Sequence, residues 1–265
     1  MKKEAKQNGS LPLIIIGVVL VAALVGGYFY YNSAKTPSAN TNRTTNAQSA
    51  GANRAQTYAN APLGSNPPNI MGSPTASVTI EEFADFQCGA CASVHPTMKQ
   101  IQSTYGSRIR FVFRNFPLAI PAHDKAYEAA VAAEAVGLQD RAKFWAMQNL
   151  LFENQGTWTA NPNYRQIWEG YAQQLGVDLE KFKADMAGRE AKSRVDADLA
   201  RGRALNIDST PTIFVNGKNV PLQSITEAGL RQVIDAEIQN AIKTAEPANT
   251  SAPSANGHAA NSNAK

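Results

Sequence analysis

Val78-Thr79-Ile80-Glu81-Glu82-Phe83-Ala84-Asp85-Phe86-Gln87-Cys88-Gly89-Ala90-Cys91 is the stretch on which the reading of this chain turns. Val78 to Phe86 is rich in β-branched and aromatic side chains and reads as a strand. Ala92 to Tyr105 reads as a helix. The chain's only two cysteines stand between them, spaced Cys-x-x-Cys. A sulfur at a helix start meets unpaired backbone N–H groups and the positive end of the helix dipole, and both favour thiolate over thiol. The thiolate is the species that attacks a disulfide. Cysteines this close in sequence cannot staple a fold, so a structural disulfide is the weaker reading.

Along the strand Val78, Ile80, Glu82, Ala84 and Phe86 share one face. Both faces are largely apolar, which predicts a central strand and a buried Glu82. A buried carboxyl has a raised pKa, and Glu82 would then be placed to pass protons to or from Cys91.

Downstream, Pro96 should kink the first helix. Arg108 to Phe116 alternates and reads as a second strand. Helical spacing follows at Asp124–Leu138, Arg141–Phe152, Tyr164–Leu175, Leu179–Met186 and Glu190–Leu205. Trp145, Trp158 and Trp168 fall in this block and read as core. Thr212–Val215 returns to strand character, Asn216-Gly217 is a strong hairpin signal, and Val220–Leu222 reads as the partner strand. Thr226–Thr244 is a final amphipathic helix. The order is α/β, with a helical subdomain inserted at about residues 120–205. Upstream, Met71-Gly72-Ser73-Pro74-Thr75 reads as a turn opening the globular part.

The 265 residues allow one or two domains, and the formal charge of +4 is mild. The basic residues are scattered among acids, so there is no nucleic-acid signal. Residues 11–31 are uncharged, about long enough to span a bilayer, and end in Tyr28, Phe29, Tyr30 and Tyr31. Lys2, Lys3 and Lys6 precede the run, against Lys35 and Arg43 after it, which places residues 1–10 in the cytoplasm. The run is longer than a cleavable signal's apolar core and lacks small residues at its end, so a retained signal-anchor is favoured over cleavage. Residues 32–70 and 246–265 are poor in aliphatic side chains and read as a disordered linker and tail. The domain at 71–245 would then lie outside the cytoplasm, in the periplasm or on the outer face.

Several of these features coincide in one known pattern. Cys88-Gly89-Ala90-Cys91 lies between strand and helix, Pro96 bends that helix, and Ser209-Thr210-Pro211-Thr212 leads into the hairpin. Phe113-Arg114-Asn115-Phe116-Pro117-Leu118, His123, the Ala-rich helix and Phe144-Trp145 add to the pattern. Together they resemble the thioredoxin fold, and within it the membrane-anchored bacterial DsbA-like thiol:disulfide oxidoreductases, over residues 71 to about 245. The resemblance implies that Cys88 is the exposed nucleophile and Cys91 the buried resolving thiol. It implies that Glu82 is the buried acid, a possible proton shuttle. It also implies that Pro211 is a cis-proline whose loop, with Thr210, binds an extended substrate segment by strand addition.

No cofactor or metal is called for by this chemistry. The implied substrates are unfolded or partly oxidised secreted or envelope proteins. The implied redox partner is a membrane protein of the DsbB or vitamin-K-epoxide-reductase type, or of the DsbD type if the flow is reductive. Strongly oxidising DsbA proteins carry a histidine between the cysteines, whereas Gly89 and Ala90 have no donor side chain. That departure predicts an intermediate potential and a Cys88 pKa nearer the thioredoxin value of about 7 than the DsbA value of about 3.5. Disulfide formation is favoured by compartment, while Thr210 ahead of Pro211 resembles reductase and isomerase branches. Two other classes stand against these. One is a metal site from Cys88, Cys91 and His95, which lacks a fourth ligand. The other is a non-catalytic chaperone with a vestigial dithiol.

Overall fold

The computed structural model describes residues 56–245, all within one unit, Asn53–Lys265. The expected cytoplasmic segment, membrane span and tail, and the linker up to residue 55, lie outside the described residues. Among the described residues no helix is long and apolar enough to cross a membrane.

Strand β2 (Val78–Ala84) is followed by α1 (Gly89–Tyr105) and β3 (Ile109–Asn115), and β3 pairs parallel with β2. Ahead of them β1 (Asn69–Gly72) pairs antiparallel with β3. Six helices follow: α2 (Ala126–Gln139), α3 (Arg141–Glu153), α4 (Gln155–Trp158), α5 (Tyr164–Gln174), α6 (Leu179–Ala187) and α7 (Arg189–Ala204). The chain then re-enters the sheet as β4 (Thr212–Val215) and β5 (Lys218–Val220) and ends in α8 (Glu227–Ala245). The strand order β1-β3-β2-β4-β5 makes β2 the middle strand. This is why β2 is apolar on both faces, and why the chain that leaves its end carries the dithiol into the interior.

The helical block is organised by α2, whose run of alanines lets neighbouring helices approach on every side; ten of its residues are buried. Trp158 and Trp168 are fully buried and meet edge to face at 5.3 Å. Phe86, at the end of β2, joins this block to the sheet by stacking on Phe113 and Phe152. Trp145 is partly buried against the same core.

Beside the apolar core lies a buried network of charge. Glu81 accepts Arg114 Nε at 2.6 Å, Arg201 Nε at 2.8 Å and the Tyr58 hydroxyl at 2.6 Å. Arg114 also donates to Asp198 at 3.0 Å, and Glu134 of α2 pairs with Arg194 of α7. These guanidinium groups have donors to spare, and they spend them on backbone carbonyls upstream of β1. Arg201 reaches Pro62 O, Arg114 reaches Leu63 O, and Arg194 reaches Pro67 O, each at 2.8 Å.

That arrangement corrects several boundaries. The segment from residue 56 to 70, expected as linker, is laid against the domain, starting with a helical turn at residues 56–60. Its order comes from hydrogen bonds to buried arginines rather than from its own apolar side chains. Residues 69–72 form strand β1, not merely the start of a turn, because Asn69 bonds Glu134 and the backbone completes the edge beside β3. The partner strand of the hairpin is Lys218–Val220, not Val220–Leu222. Asn216 and Gly217 have φ of 47° and 75°, so the turn uses only those two residues and pairing resumes at Lys218. Pro221, without an N–H, then ends the strand. Helix α1 begins at Gly89, three residues before the expected start, and the short α4 had no sequence signal.

Burial alone would raise the Glu81 carboxyl, but hydrogen bonds and charge from Arg201 and Arg114 outweigh it and hold it below the usual carboxylate range. Replacing Glu81 by Ala strands two buried guanidinium groups. We expect a loss of about 3–5 kcal/mol of unfolding free energy, read by urea denaturation followed through Trp158 and Trp168 fluorescence. A loss below about 1 kcal/mol would mean that water already serves these arginines.

Candidate active site

The turn that leaves β2 is fixed before the helix begins. Asp85 Oδ1 accepts the Gln87 N–H at 2.7 Å, and Asp85 O accepts the Cys88 N–H at 3.1 Å. Cys88 is thereby set as the N-cap of α1 in extended conformation, and its carbonyl accepts the first helical bond, from Ala92 N–H at 3.1 Å. Cys91 falls three residues on, one turn into the helix, facing the core. Pro96 lies inside α1 as expected.

The two sulfurs are in unlike surroundings. Cys91 is wholly buried, while Cys88 keeps 8 % of its surface. The expectation of an openly exposed Cys88 is therefore corrected: it is a largely covered residue with a narrow opening. Two contacts cover it. Gln155 of α4 donates to Phe86 O at 2.8 Å and to Cys88 O at 3.0 Å. From the other side, the Cys88 thiol donates to Thr210 O at 3.4 Å.

Cys88 is pulled down from the ordinary thiol value to about 5. The largest cause is the Cys91 thiol donating to it, which outweighs burial; Thr210 and the backbone N–H groups of Cys91 and Ala90 add to the effect. Cys91 is pushed far above the thiol range, first by burial and then by acting as donor to the Cys88 sulfur, both of which favour its keeping its proton. The expectation of a Cys88 value near 7 is thus revised downward. The donors that matter are on the backbone and on Cys91, where the missing side chains of Gly89 and Ala90 have no bearing.

Thr210 and Pro211 stand opposite the dithiol, and the Thr210–Pro211 peptide is cis. The Thr210 hydroxyl is buried and has no partner in hydrogen-bonding geometry. It is therefore free to turn to a thiolate, and its nearness favours the anion at both sulfurs. Glu82 lies on β2 in register with Ile213 and Phe113 and is 3 % exposed. Burial alone, with no pairing charge, pushes its carboxyl up to about 8. No hydrogen bond joins Glu82 to either sulfur among the described residues, so proton passage to Cys91 would need an intervening water.

His95 is not directed to a metal. Its Nε2 pairs with Asn149 Oδ1 at 2.9 Å and its ring lies on Phe152, which ties α1 to α3. Among the described residues no group of three or more His, Cys, Asp or Glu side chains is disposed to hold a metal ion. Gln155 and Asp85 gave no sequence signal as site residues, since glutamine in a helix and aspartate before a turn are ordinary. Beyond the resemblance, nothing marked His123, which pairs with Asp85 at 2.6 Å.

The Thioredoxin family model matches residues 65–236. The chain is 36% identical over 152 residues to the Na(+)/H(+) antiporter NhaA 1 of Mycolicibacterium gilvum, covering 57% of this chain and 23% of that protein. It thus spans about a quarter of the length of the curated relatives it matches. Among solved structures it is similar to BdbD from Bacillus subtilis, with TM-score 0.55 and 24% identity over 68% of this chain and 98% of that one. It is also similar to the thiol-disulfide exchange protein alpha-DsbA2 of Wolbachia pipientis, with TM-score 0.56 and 18% identity over 75% and 99%. The similarity to the two structures is one of fold.

Two outcomes follow from this geometry. Alkylation of Cys88 should titrate near pH 5, and Thr210→Val should move that midpoint up by roughly half to one pH unit; an unmoved midpoint would place the hydroxyl out of reach. For Glu82, a folded value of about 8 against about 4.3 unfolded gives stability that is fully present below the unfolded value. That stability is lost as pH rises through the folded one. Relative to Glu82→Gln, the wild-type chain should lose about 1.4 kcal/mol per pH unit between roughly pH 4.5 and 8, then run parallel. Urea unfolding at four pH values checks it.

Proposed function

The chain belongs to the thioredoxin family, and from that premise we propose that it is a thiol:disulfide oxidoreductase working through Cys88 and Cys91. The observation that carries this is the split between the sulfurs: Cys88 held as an anion near neutral pH, Cys91 beside it held as a thiol.

In the oxidising direction a substrate thiolate attacks Cys88 Sγ of the Cys88–Cys91 disulfide. The S–S bond breaks, Cys91 leaves with the electron pair, and a mixed disulfide joins substrate to Cys88. Cys91 is a poor anion where it sits and takes up a proton, for which Glu82 is the nearby buried acid. A second substrate thiolate then attacks the substrate sulfur of the mixed disulfide. Cys88 departs as the thiolate that its surroundings favour. The substrate has lost two electrons and the dithiol has gained them. Thr210 and Pro211 form the ledge on which an extended substrate strand would lie.

Stabilising the Cys88 thiolate stabilises the reduced protein and makes the disulfide the stronger oxidant. A value of about 5 therefore favours disulfide formation in secreted or envelope proteins. The alternative is reduction or isomerisation, supported by Thr210 ahead of Pro211 and by a value that stays above that of the strongest oxidants. Residues 11–31 supply the membrane anchor in this reading, with the catalytic domain outside the cytoplasm. A membrane partner of the DsbB or vitamin-K-epoxide-reductase type would restore the disulfide, or a DsbD-type donor would keep the dithiol reduced. The relatives named as antiporters fit a domain of this family working at a membrane.

Refolding of reduced ribonuclease and reduction of insulin test the activity. Cys88→Ser should abolish both, and Cys91→Ser should accumulate a mixed disulfide with substrate. Alkylation trapping in cells separates the directions: a mostly oxidised pair supports an oxidase, a mostly reduced one a reductase or isomerase. Full activity in Cys88→Ser would overturn the assignment.

A further inference from the structure

Two glutamine amides stand at the cysteine turn, and they are used differently. Gln87 is engaged at both ends: its Nε2 donates to Asp124 Oδ1 at 3.0 Å, and its Oε1 accepts the Lys125 N–H at 2.8 Å. Gln155 of α4 is engaged at one end only. Its Nε2 donates to Phe86 O at 2.8 Å and to Cys88 O at 3.0 Å. Both acceptors are carbonyls, so the nitrogen has to face them, and both of its hydrogens are taken. Gln155 Oε1 accepts no hydrogen bond among the described residues. It is also not among the buried side-chain atoms left without a partner, which are Arg110 Nε, Asn115 Oδ1, Trp168 Nε1 and Thr210 Oγ1. The oxygen therefore meets solvent, on a half-buried side chain whose amide is pinned by two bonds. The backing is firm as well. Trp158 of the same helix is fully buried and donates to Leu151 O at 2.8 Å, and the Asn154 side chain donates to Leu150 O at 2.9 Å.

A fixed and unused acceptor thus stands against the residue that would attack the substrate. The oxygen of a primary amide lies roughly 2.2 Å from its nitrogen, which sets Gln155 Oε1 within roughly 5 Å of Cys88 O. In a mixed disulfide the joined residues have Cα atoms about 4.4–6.8 Å apart, and an extended chain advances about 3.3 Å per residue. The N–H groups of residues flanking the substrate cysteine therefore come within reach of a group this close to Cys88. A strand that pairs with the Thr210 loop along one edge carries its remaining N–H groups on the other, where they lose water without gaining a partner. An acceptor already held in place meets one of them at little entropic cost.

We propose that Gln155 Oε1 accepts a backbone N–H of the substrate chain beside its cysteine, so that the helical insertion supplies a substrate-binding residue. The proposal rests on the redox reading of Cys88 and adds how the substrate is held. The ligand it selects is an extended peptide with a free N–H at one position near the cysteine, whatever its side chains. Proline or an N-methylated residue at that position lacks the donor.

The test uses the full chain, reduced. A peptide with one cysteine is supplied as its mixed disulfide with thionitrobenzoate, beside glutathione activated in the same way. The Cys88 thiolate attacks the peptide sulfur, a new S–S bond forms, and thionitrobenzoate leaves with the electron pair and is read by its colour. Residues within about three of the cysteine are N-methylated one at a time. At one position methylation should slow the wild-type reaction by about fivefold. Gln155→Met should remove that sensitivity, while positions facing Thr210 keep theirs. No sensitive position, or the same sensitivities in both proteins, overturns the proposal. If Gln155→Met does not fold, the Gln155 Cδ resonance in the Cys91→Ser chain decides. It should shift when the parent peptide is attached and stay in place with the methylated one; an equal response overturns the proposal. Reaction with activated glutathione beside such a result leaves the redox reading intact, whereas no reaction with it sinks that reading and this proposal together.

Discussion

Two sulfurs one helical turn apart cannot both be anions, and the rest of this site follows from how that conflict is resolved. The proton stays on Cys91, whose thiol acts as donor to the Cys88 sulfur. The same bond lowers one thiol and raises the other. It works only if Cys91 is sealed from water, and Cys91 is wholly buried in the apolar core. It also needs Cys88 to keep the small part of its surface that stays exposed. The helical insertion therefore braces the site, because Gln155 reaches back from it to hold the backbone of the cysteine turn.

Adjacent residues of β2 show how far environment governs proton affinity. Glu81 and Glu82 are neighbours on one strand, both almost fully buried, and point to opposite faces of the sheet. Glu81 meets two guanidinium groups and a phenol and is held ionised. Glu82 meets no pairing charge and is pushed to about 8. The first carboxylate binds the upstream segment and α7 to the sheet. The second keeps its proton into the neutral range. Neither role is available to the other, since exchanging their environments requires moving the strand by one residue and carrying every side chain of β2 to the opposite face of the sheet.

The same pair marks the limit of what the sequence discloses. A central strand, a dithiol at a helix start, the Asn216-Gly217 turn and the helical block were legible because each depends on local pattern: alternation, spacing, turn chemistry. Glu82 was legible because one acid stood on an apolar face. Glu81 was not, because its partners Arg114, Arg201 and Tyr58 are far off in the chain and read one at a time as surface residues. The order of residues 56–70 was hidden for the same reason, being conferred by arginines more than forty positions downstream. The helix start at Gly89 was missed because Gly89-Ala90 looks like a linker until Asp85 is seen fixing the turn before it. Gln155 contributes through its amide alone and leaves no pattern at all.

The acidity of Cys88 illustrates why the composition of a motif is a poor guide to its chemistry. Judged by the two residues between the cysteines, Gly89 and Ala90 supply nothing, and a mild thiol is the natural expectation. Yet the motif contributes in another way: at the start of α1 the backbone N–H groups of Ala90 and Cys91 act on the sulfur, whatever side chains stand between the cysteines. Those backbone donors, the Cys91 thiol and the Thr210 hydroxyl together outweigh the cost of covering Cys88. A histidine in the motif would act by charge and would lose its effect as pH rises past its own titration. Backbone donors cannot be titrated, so their hold on the Cys88 thiolate does not lapse as the pH rises.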